Sequence, residues 1–341
     1  MIPPRIVAIG RQRSLYLFVP IVETLRELGH DVVFYEDPAA FEAAGGRLGD
    51  ADALVAASSF TCSRALMEST DHLRGIVSPT TGIEGFDLAA ATELGILVAN
   101  GQTRENVESM AEATILLMLA ALYDLRGAEA VLRENRPRPA QTNARMLGGK
   151  IVGMIGFGRI ARAIAARLAA WDVSIQAYTR RPPASLGAVH FVGLEEVLRT
   201  SDVVCLLATL NSETESLMNA DRLRLLKWGA VLINTARGGI IDEPALCELA
   251  TQRPDLRLAL DTFTTEPLPP DSPLRALPNA ILTPHMLGHT REAHAGLPDT
   301  AVENVRRLLA GQVPRYVCNP DVIPRWQARW AAANVGRVSE A

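Results

Sequence analysis

One short segment constrains this chain more than any other. Gly153-Met-Ile-Gly156-Phe-Gly158-Arg-Ile-Ala161 holds a G-x-G-x-x-A, set between an apolar run (Ile151 to Gly156) and a helical pattern (Arg159 to Ala170). Glycine at 156 permits a tight turn. Glycine at 158 lets the backbone approach a pyrophosphate, and alanine at 161 lets helix and strand pack closely. The N-terminus of the helix then turns its free N–H groups toward an anion. A glycine turn that only packs tightly is the plainer alternative; the strand-to-helix setting favours the nucleotide.

The rest of the chain repeats the same grammar. Arg5 to Gly10, Asp31 to Tyr35, Ala53 to Ser58, Gly75 to Ser78 and Ile96 to Asn100 are short apolar runs, and Val19 to Leu28 is helical with Gly29 closing it. Beyond the glycine segment come Val173 to Tyr178, Asp202 to Ala208, Ala230 to Ala236, Leu256 to Asp261 and Ala280 to Pro284, with a last helix over Ala301 to Leu309. Runs apolar on both faces suit the strands of a covered parallel sheet, and their alternation with helices predicts a doubly wound α/β fold. A long helix is expected after the N-cap Thr103, with Glu105 in its first turn. Its stripe of Val107, Met110, Ala111, Thr114, Leu117, Met118, Ala121, Leu122 and Leu125 fits an intrachain core or an interface equally. Arg133 to Lys150, polar and carrying Pro137, Pro139 and Gly148-Gly149, reads as an exposed connection.

Composition narrows the function classes. The chain has 341 residues, enough for about two domains. Lys plus Arg number 34 against 38 Asp plus Glu, a net charge of −4, so a nucleic-acid partner is not expected. The most apolar segment, Ile115 to Tyr123, is far short of the roughly 20 residues of a membrane helix. The N-terminal stretch reads as a strand and not as a signal peptide. Cys62, Cys205, Cys247 and Cys318 are widely spaced with no CxxC, which points to a reducing, cytoplasmic setting without structural zinc.

The residues after the second strand of the nucleotide unit bear on the cofactor. An acid there would accept from the adenosine ribose of NAD. This chain reads Tyr178-Thr179-Arg180-Arg181. Two guanidiniums suit a 2′-phosphate, so NADP(H) is expected in preference to NAD(H). Solvated surface arginines with NAD tolerated are the alternative.

Three further segments each follow a predicted strand, where α/β sheets place ligands. They are Ile233-Asn-Thr-Ala-Arg237-Gly-Gly, Asp261-Thr-Phe-Thr-Thr-Glu266-Pro267 and Thr283-Pro284-His285-Met-Leu-Gly288. Arg237 offers a cation that could hold and polarise an anionic substrate, His285 a group that gives or takes a proton, and Glu266 a carboxylate to orient that histidine.

In this order, after a G-x-G-x-x-A, the motifs resemble the D-isomer-specific 2-hydroxyacid dehydrogenase family over nearly the whole chain, from the Gly82 loop to Asn319-Pro320. The resemblance implies a small 2-keto or 2-hydroxy acid substrate and makes Arg237, Glu266 and His285 the catalytic set. It implies a Rossmann-type domain (101–286) inserted in a flavodoxin-like substrate domain (1–100 and 287–341), with the active site between the lobes. It places Gly156, Gly158, Arg159, Ile160, Thr179, Arg180, Arg181, Thr209, Ala236, Asp261 and Gly288 at the cofactor, Asp261 on the nicotinamide carboxamide. Ser58, Thr81 and Gly82 join Arg237 and His285 at the substrate, the N–H groups of Thr81 and Gly82 holding its carboxylate. It also implies a homodimer, built through the helix after Thr103.

The chain departs from the family pattern at several positions. Glu84 and Gly85 replace the commoner Asp and Asn, Thr209 stands where Pro is common, and the linker lacks a frequent Trp. His289 faces either substrate or solvent, Arg11 and Arg13 either the cleft or water, and the tail with Trp326 and Trp330 either its own lobe or a partner. No C-terminal segment is long enough for a separate regulatory domain. An NADPH-dependent reductase of the glyoxylate or hydroxypyruvate type is therefore expected. The competing readings are a relative acting on another anion such as phosphite, and a cofactor-sensing corepressor-like protein. Formate enzymes of this resemblance carry Gln where Glu266 stands, and the short termini speak against a corepressor.

Overall fold

The computed structural model describes residues 3–184 and 186–336. It divides into two compact units. One comprises the described residues through Asn106 together with those from Arg291 onward, and the other runs from Val107 to Thr290. The expected outer lobe extends to Ala341, of which 337–341 lie outside the described residues.

The first unit is a five-stranded sheet of β1 (Arg5–Ile9), β2 (Asp31–Tyr35), β3 (Ala53–Ala56), β4 (Gly75–Val77) and β5 (Leu97–Ala99). Every pairing is parallel and the order is β2-β1-β3-β4-β5, the flavodoxin-like order. β3 and β4 are short and wholly buried, as parallel strands covered on both faces must be. The helix Leu15–Glu27 buries Phe18, Ile21, Val22 and Leu25 on one face of the sheet, beside the helix Leu297–Leu309. It ends as the glycine predicts: Gly29 takes φ +86° and the His30 N–H reaches back to the Leu25 carbonyl.

The second unit holds β6 (Ile151–Ile155), β7 (Ser174–Tyr178), β8 (Val189–Phe191), β9 (Val203–Leu206), β10 (Val231–Asn234), β11 (Arg257–Leu260) and β12 (Ala280–Leu282). The order β12-β11-β10-β9-β6-β7-β8 is again all parallel. It is the Rossmann arrangement with one strand added at the β12 edge, and the order reverses between β6 and β9. β8 has no counterpart in the sequence reading: three residues, none fully buried, at a sheet edge leave too little pattern.

The long helix spans Arg104–Leu122, and the Thr103 hydroxyl accepts from the Asn106 N–H as its cap. Its stripe closes on the unit's own core: Ala111, Leu117, Met118, Ala121 and Leu122 pack with Val152 and Met154 of β6. Leu125 belongs to a separate helix, Leu125–Arg133, and is exposed. The stripe is thus explained within the chain. Residues 134–146 are largely exposed and without regular structure, as a connection should be.

The tail packs on the first unit. Trp326 is fully buried and its Nε1 donates to the Arg74 carbonyl at 2.7 Å. The Trp330 ring lies 4.8 Å from the Arg74 guanidinium. Arg74 is itself buried, paired with Asp52 at 3.1 Å and donating to the Leu309 carbonyl. A buried charge satisfied on two sides in this way fastens the C-terminal segment to β3 and β4. No described helix is long and apolar enough to cross a membrane, and no described cluster could hold a metal ion.

Candidate active site

The named catalytic side chains and the glycine turn all sit in the second unit, just past the carboxyl ends of its strands. β6 ends at buried Ile155 and the chain turns at Gly156, φ +95°. A Cβ there would lie 2.6 Å from the Ala208 backbone nitrogen, so both conformation and crowding demand glycine. Gly158 differs: a Cβ would meet nothing within 4 Å, so no internal packing requires its smallness. It precedes the helix Arg159–Leu168, whose N-terminus has no side-chain cap. Ala161 is buried at the helix–sheet contact. Gly153, the first glycine of the run, serves packing instead, because a Cβ would fall 2.2 Å from Ser201 Oγ and 2.6 Å from Val197 Cγ1. An open glycine before an uncapped helix start fits a dinucleotide pyrophosphate. Arg159 and Ile160 form the first turn there.

At the end of β7, Thr179 is half-buried and Arg180 and Arg181 are exposed. Arg180 Nη1 pairs with Glu213, a residue absent from the sequence reading, on the loop after β9. Its signal was positional and visible only once β7 and β9 flank β6 in the sheet. Thr209, exposed on the same loop, lends its carbonyl to Thr214 Oγ1 at 2.7 Å. The Leu207 N–H donates to Ile155 at 2.8 Å. The segment therefore keeps its place over the glycine turn without the proline.

Three loops carry the side chains expected to be catalytic. After β10, buried Asn234 folds its amide back, donating to the Arg237 carbonyl at 2.8 Å and accepting from the Ala236 N–H at 3.1 Å. That Asx-type turn presents Arg237, half-buried, with Nη1 on the Ala236 carbonyl at 2.7 Å. Gly238 is obligatory, since a Cβ would lie 1.8 Å from the Phe263 carbonyl carbon. After β11, Glu266 accepts from the Phe263 N–H at 3.1 Å through Oε1 and meets His285 Nδ1 at 2.8 Å through Oε2. With Glu266 ionised, this assigns the proton to Nδ1 and leaves Nε2 for chemistry. Burial pushes the Glu266 carboxyl up, but His285, the Phe263 N–H and Arg237 together outweigh it and hold it below its ordinary value.

After β12, His285 adopts φ +53°, a left-handed conformation uncommon outside glycine. Asp261 holds it there. Its Oδ1 accepts from Thr283 Oγ1 at 2.6 Å and from the Met286 N–H at 3.1 Å, bracketing His285. Asp261 is 1 % exposed, and burial raises its pKa despite these donors. This side chain, expected on the nicotinamide carboxamide, also pins the histidine loop. Gly288, expected at the cofactor, is buried against the helix Arg104–Leu122: its carbonyl accepts from Ser109 Oγ at 3.0 Å and a Cβ would lie 1.9 Å from Met110 Sδ. His289 stacks on His285, ring centroids 6.5 Å apart, and is exposed.

The expected substrate loop belongs to the first unit. Gly85 donates to the Ser58 carbonyl at 2.8 Å, and its own carbonyl accepts from Cys62. A Cβ there would lie 2.2 Å from the Phe60 carbonyl oxygen, which explains glycine in place of the family's longer residue. Ser78 Oγ donates to the Gly82 carbonyl at 2.9 Å and Asn100 Nδ2 to the Thr81 carbonyl at 2.7 Å. These bonds hold the loop by its carbonyls. The N–H groups of Thr81 and Gly82 reach no acceptor among the described residues. Ser58 is half-buried, and Arg11 donates to the Ser59 carbonyl at 3.0 Å.

Residues 115–286 match the family model described as D-isomer specific 2-hydroxyacid dehydrogenase, NAD binding domain. The D-3-phosphoglycerate dehydrogenase of Methanocaldococcus jannaschii is 33% identical over 82% of this chain and 54% of its own length, so the chain spans about half of that relative. A glyoxylate reductase of Thermofilum pendens is 32% identical over 86% of this chain and 89% of its own. Among solved structures, the NADPH-dependent glyoxylate/hydroxypyruvate reductase of Sinorhizobium meliloti, in complex with NADP and malonate, superposes with a TM-score of 0.81 at 28% identity, covering 94% of this chain and 98% of that one.

Proposed function

The chain belongs to the D-isomer specific 2-hydroxyacid dehydrogenase family, and from that premise we propose that it reduces a small 2-keto acid to the D-2-hydroxy acid, with NADPH preferred over NADH. The observation that carries this reading is the Glu266–His285 pair at 2.8 Å, with Arg237 close enough to lower the Glu266 pKa. Bound at the glycine turn, the nicotinamide cofactor supplies the hydride. Arg237 holds the substrate carboxylate and polarises the carbonyl. His285 Nε2 gives its proton to the carbonyl oxygen as negative charge develops there. Glu266 keeps Nδ1–H in place and stabilises the imidazolium before transfer. The step forms one C–H and one O–H bond, and in oxidation His285 takes the proton back. The unpaired N–H groups of Thr81 and Gly82 support the assignment of a carboxylate to that loop.

Arg181 has no acidic partner among the described residues and supports NADPH. Glyoxylate and hydroxypyruvate are the proposed substrates, with a phosphorylated 2-hydroxy acid second because of relatives named D-3-phosphoglycerate dehydrogenase. We also propose a cytoplasmic homodimer, whose exposed Leu116, Leu125 and Leu132 give it apolar area; sedimentation velocity tests the dimer.

The decisive experiment measures initial rates of NADPH and NADH oxidation with glyoxylate, hydroxypyruvate, 3-phosphohydroxypyruvate and longer keto acids, with Arg237→Ala as control. Turnover lost in the control establishes the reductase. Tight NADPH binding without turnover on any keto acid rejects it.

A further inference from the structure

Arg180 and Glu213 form an ion pair across the loops that follow β7 and β9. Arg180 stands two residues past the end of β7, where the adenosine ribose of a dinucleotide is read. Glu213 is held by its backbone. Its N–H and that of Thr214 donate to Asn211 Oδ1 at 2.9 and 3.2 Å, and Thr214 Oγ1 accepts from the Asn211 N–H at 2.8 Å. The pair itself lies in water, the Arg180 side chain 65% and the Glu213 side chain 59% exposed. An exposed pair of this kind is weakly held and easily exchanged. A phosphate dianion brought to Arg180 displaces the carboxylate, which its fixed loop then keeps nearby as a like charge.

Resting on the NADPH reading above, we infer that Glu213 is a specificity-determining residue: it competes with the 2′-phosphate for Arg180 and so moderates the preference for NADPH over NADH. The positive corner at 180–181 is thereby partly neutralised when no 2′-phosphate is present. NADH, which lacks that phosphate, meets no such competition.

Titration of NADPH and of NADH, followed by calorimetry, tests this on the full chain and on Glu213→Gln, Arg180→Gln and the double variant. Glu213→Gln tightens the NADPH Kd about two- to fivefold and leaves the NADH Kd unchanged. The gain disappears when Arg180 is also Gln, and it shrinks at high salt. If Arg180→Gln weakens NADPH but Glu213→Gln leaves NADPH affinity unchanged or weaker, the competition is overturned and the cofactor reading stands. If Arg180→Gln leaves the NADPH Kd unchanged, the cofactor reading at this residue fails and the inference falls with it.

Discussion

The two units apply one architectural recipe to different ends. Both are all-parallel sheets with a core on each face, and both place their candidate functional groups past the carboxyl ends of strands. The second unit presents ionisable side chains there: Arg237, Glu266 and His285. The first presents backbone, the N–H groups of Thr81 and Gly82. Side-chain chemistry fixes residue identity and leaves motifs in a sequence. Backbone chemistry fixes shape and leaves only the small residues that the shape requires.

The largest expected effects test the side-chain end. Arg237→Ala and His285→Ala each lower kcat/KM about 10³-fold on the best keto acid, while the NADPH Kd stays within a small factor; steady-state kinetics and calorimetry check this. Glu266→Gln follows with about a 10²-fold loss, mainly in kcat, because Nδ1 loses its orienting charge.

The same glutamate gives a pH test. Its folded pKa is depressed, so its ionisation stabilises the fold above the unfolded value of about 4.3, and that contribution is lost as pH falls through the lower folded value. Denaturant titrations of wild type and Glu266→Gln therefore differ by a constant amount at neutral pH, and the difference shrinks as pH falls below the unfolded value and through the lower folded one.

Smaller effects sharpen the backbone end. Gly85→Ala forces Phe60 and Gly85 apart and destabilises the protein by about 1–3 kcal/mol in urea unfolding. It raises KM for the keto acid without changing the NADPH Kd. An unchanged KM would detach this loop from the substrate. Arg181→Gln comes last, weakening NADPH about tenfold and NADH little, as charge-assisted contacts to a phosphate imply.

How much was legible follows the same division. The strand series, the glycine turn and the loops that carry Arg237, Glu266 and His285 are readable because each depends on side-chain type or on a glycine that geometry forces. Gly156 and Gly238 are cases where a Cβ cannot fit. What escaped depends on neighbours distant in sequence. The Arg180–Glu213 pair forms only because β9 and β7 flank β6. For Asp261 the resemblance supplies a role at the cofactor, whereas its bonds to Thr283 and Met286 arise only when β12 joins β11. The apolar stripe of Arg104–Leu122 was ambiguous for the same reason, since periodicity reports burial and not what does the burying. β8 was too short and too exposed to register.

The bond from Trp326 to the Arg74 carbonyl joins residues 252 apart in sequence. On a ribosome, β1 to β5 emerge before the second unit, yet Arg74 receives neither the Leu309 carbonyl nor its tryptophans until that unit has been made. The second unit, an uninterrupted stretch from Val107 to Thr290, has all its strands earlier. Order of translation and order of completion are therefore reversed. Of the two units, the one more in need of protection from aggregation is the one begun earlier, which waits as an unsealed sheet for a helix encoded after the second unit.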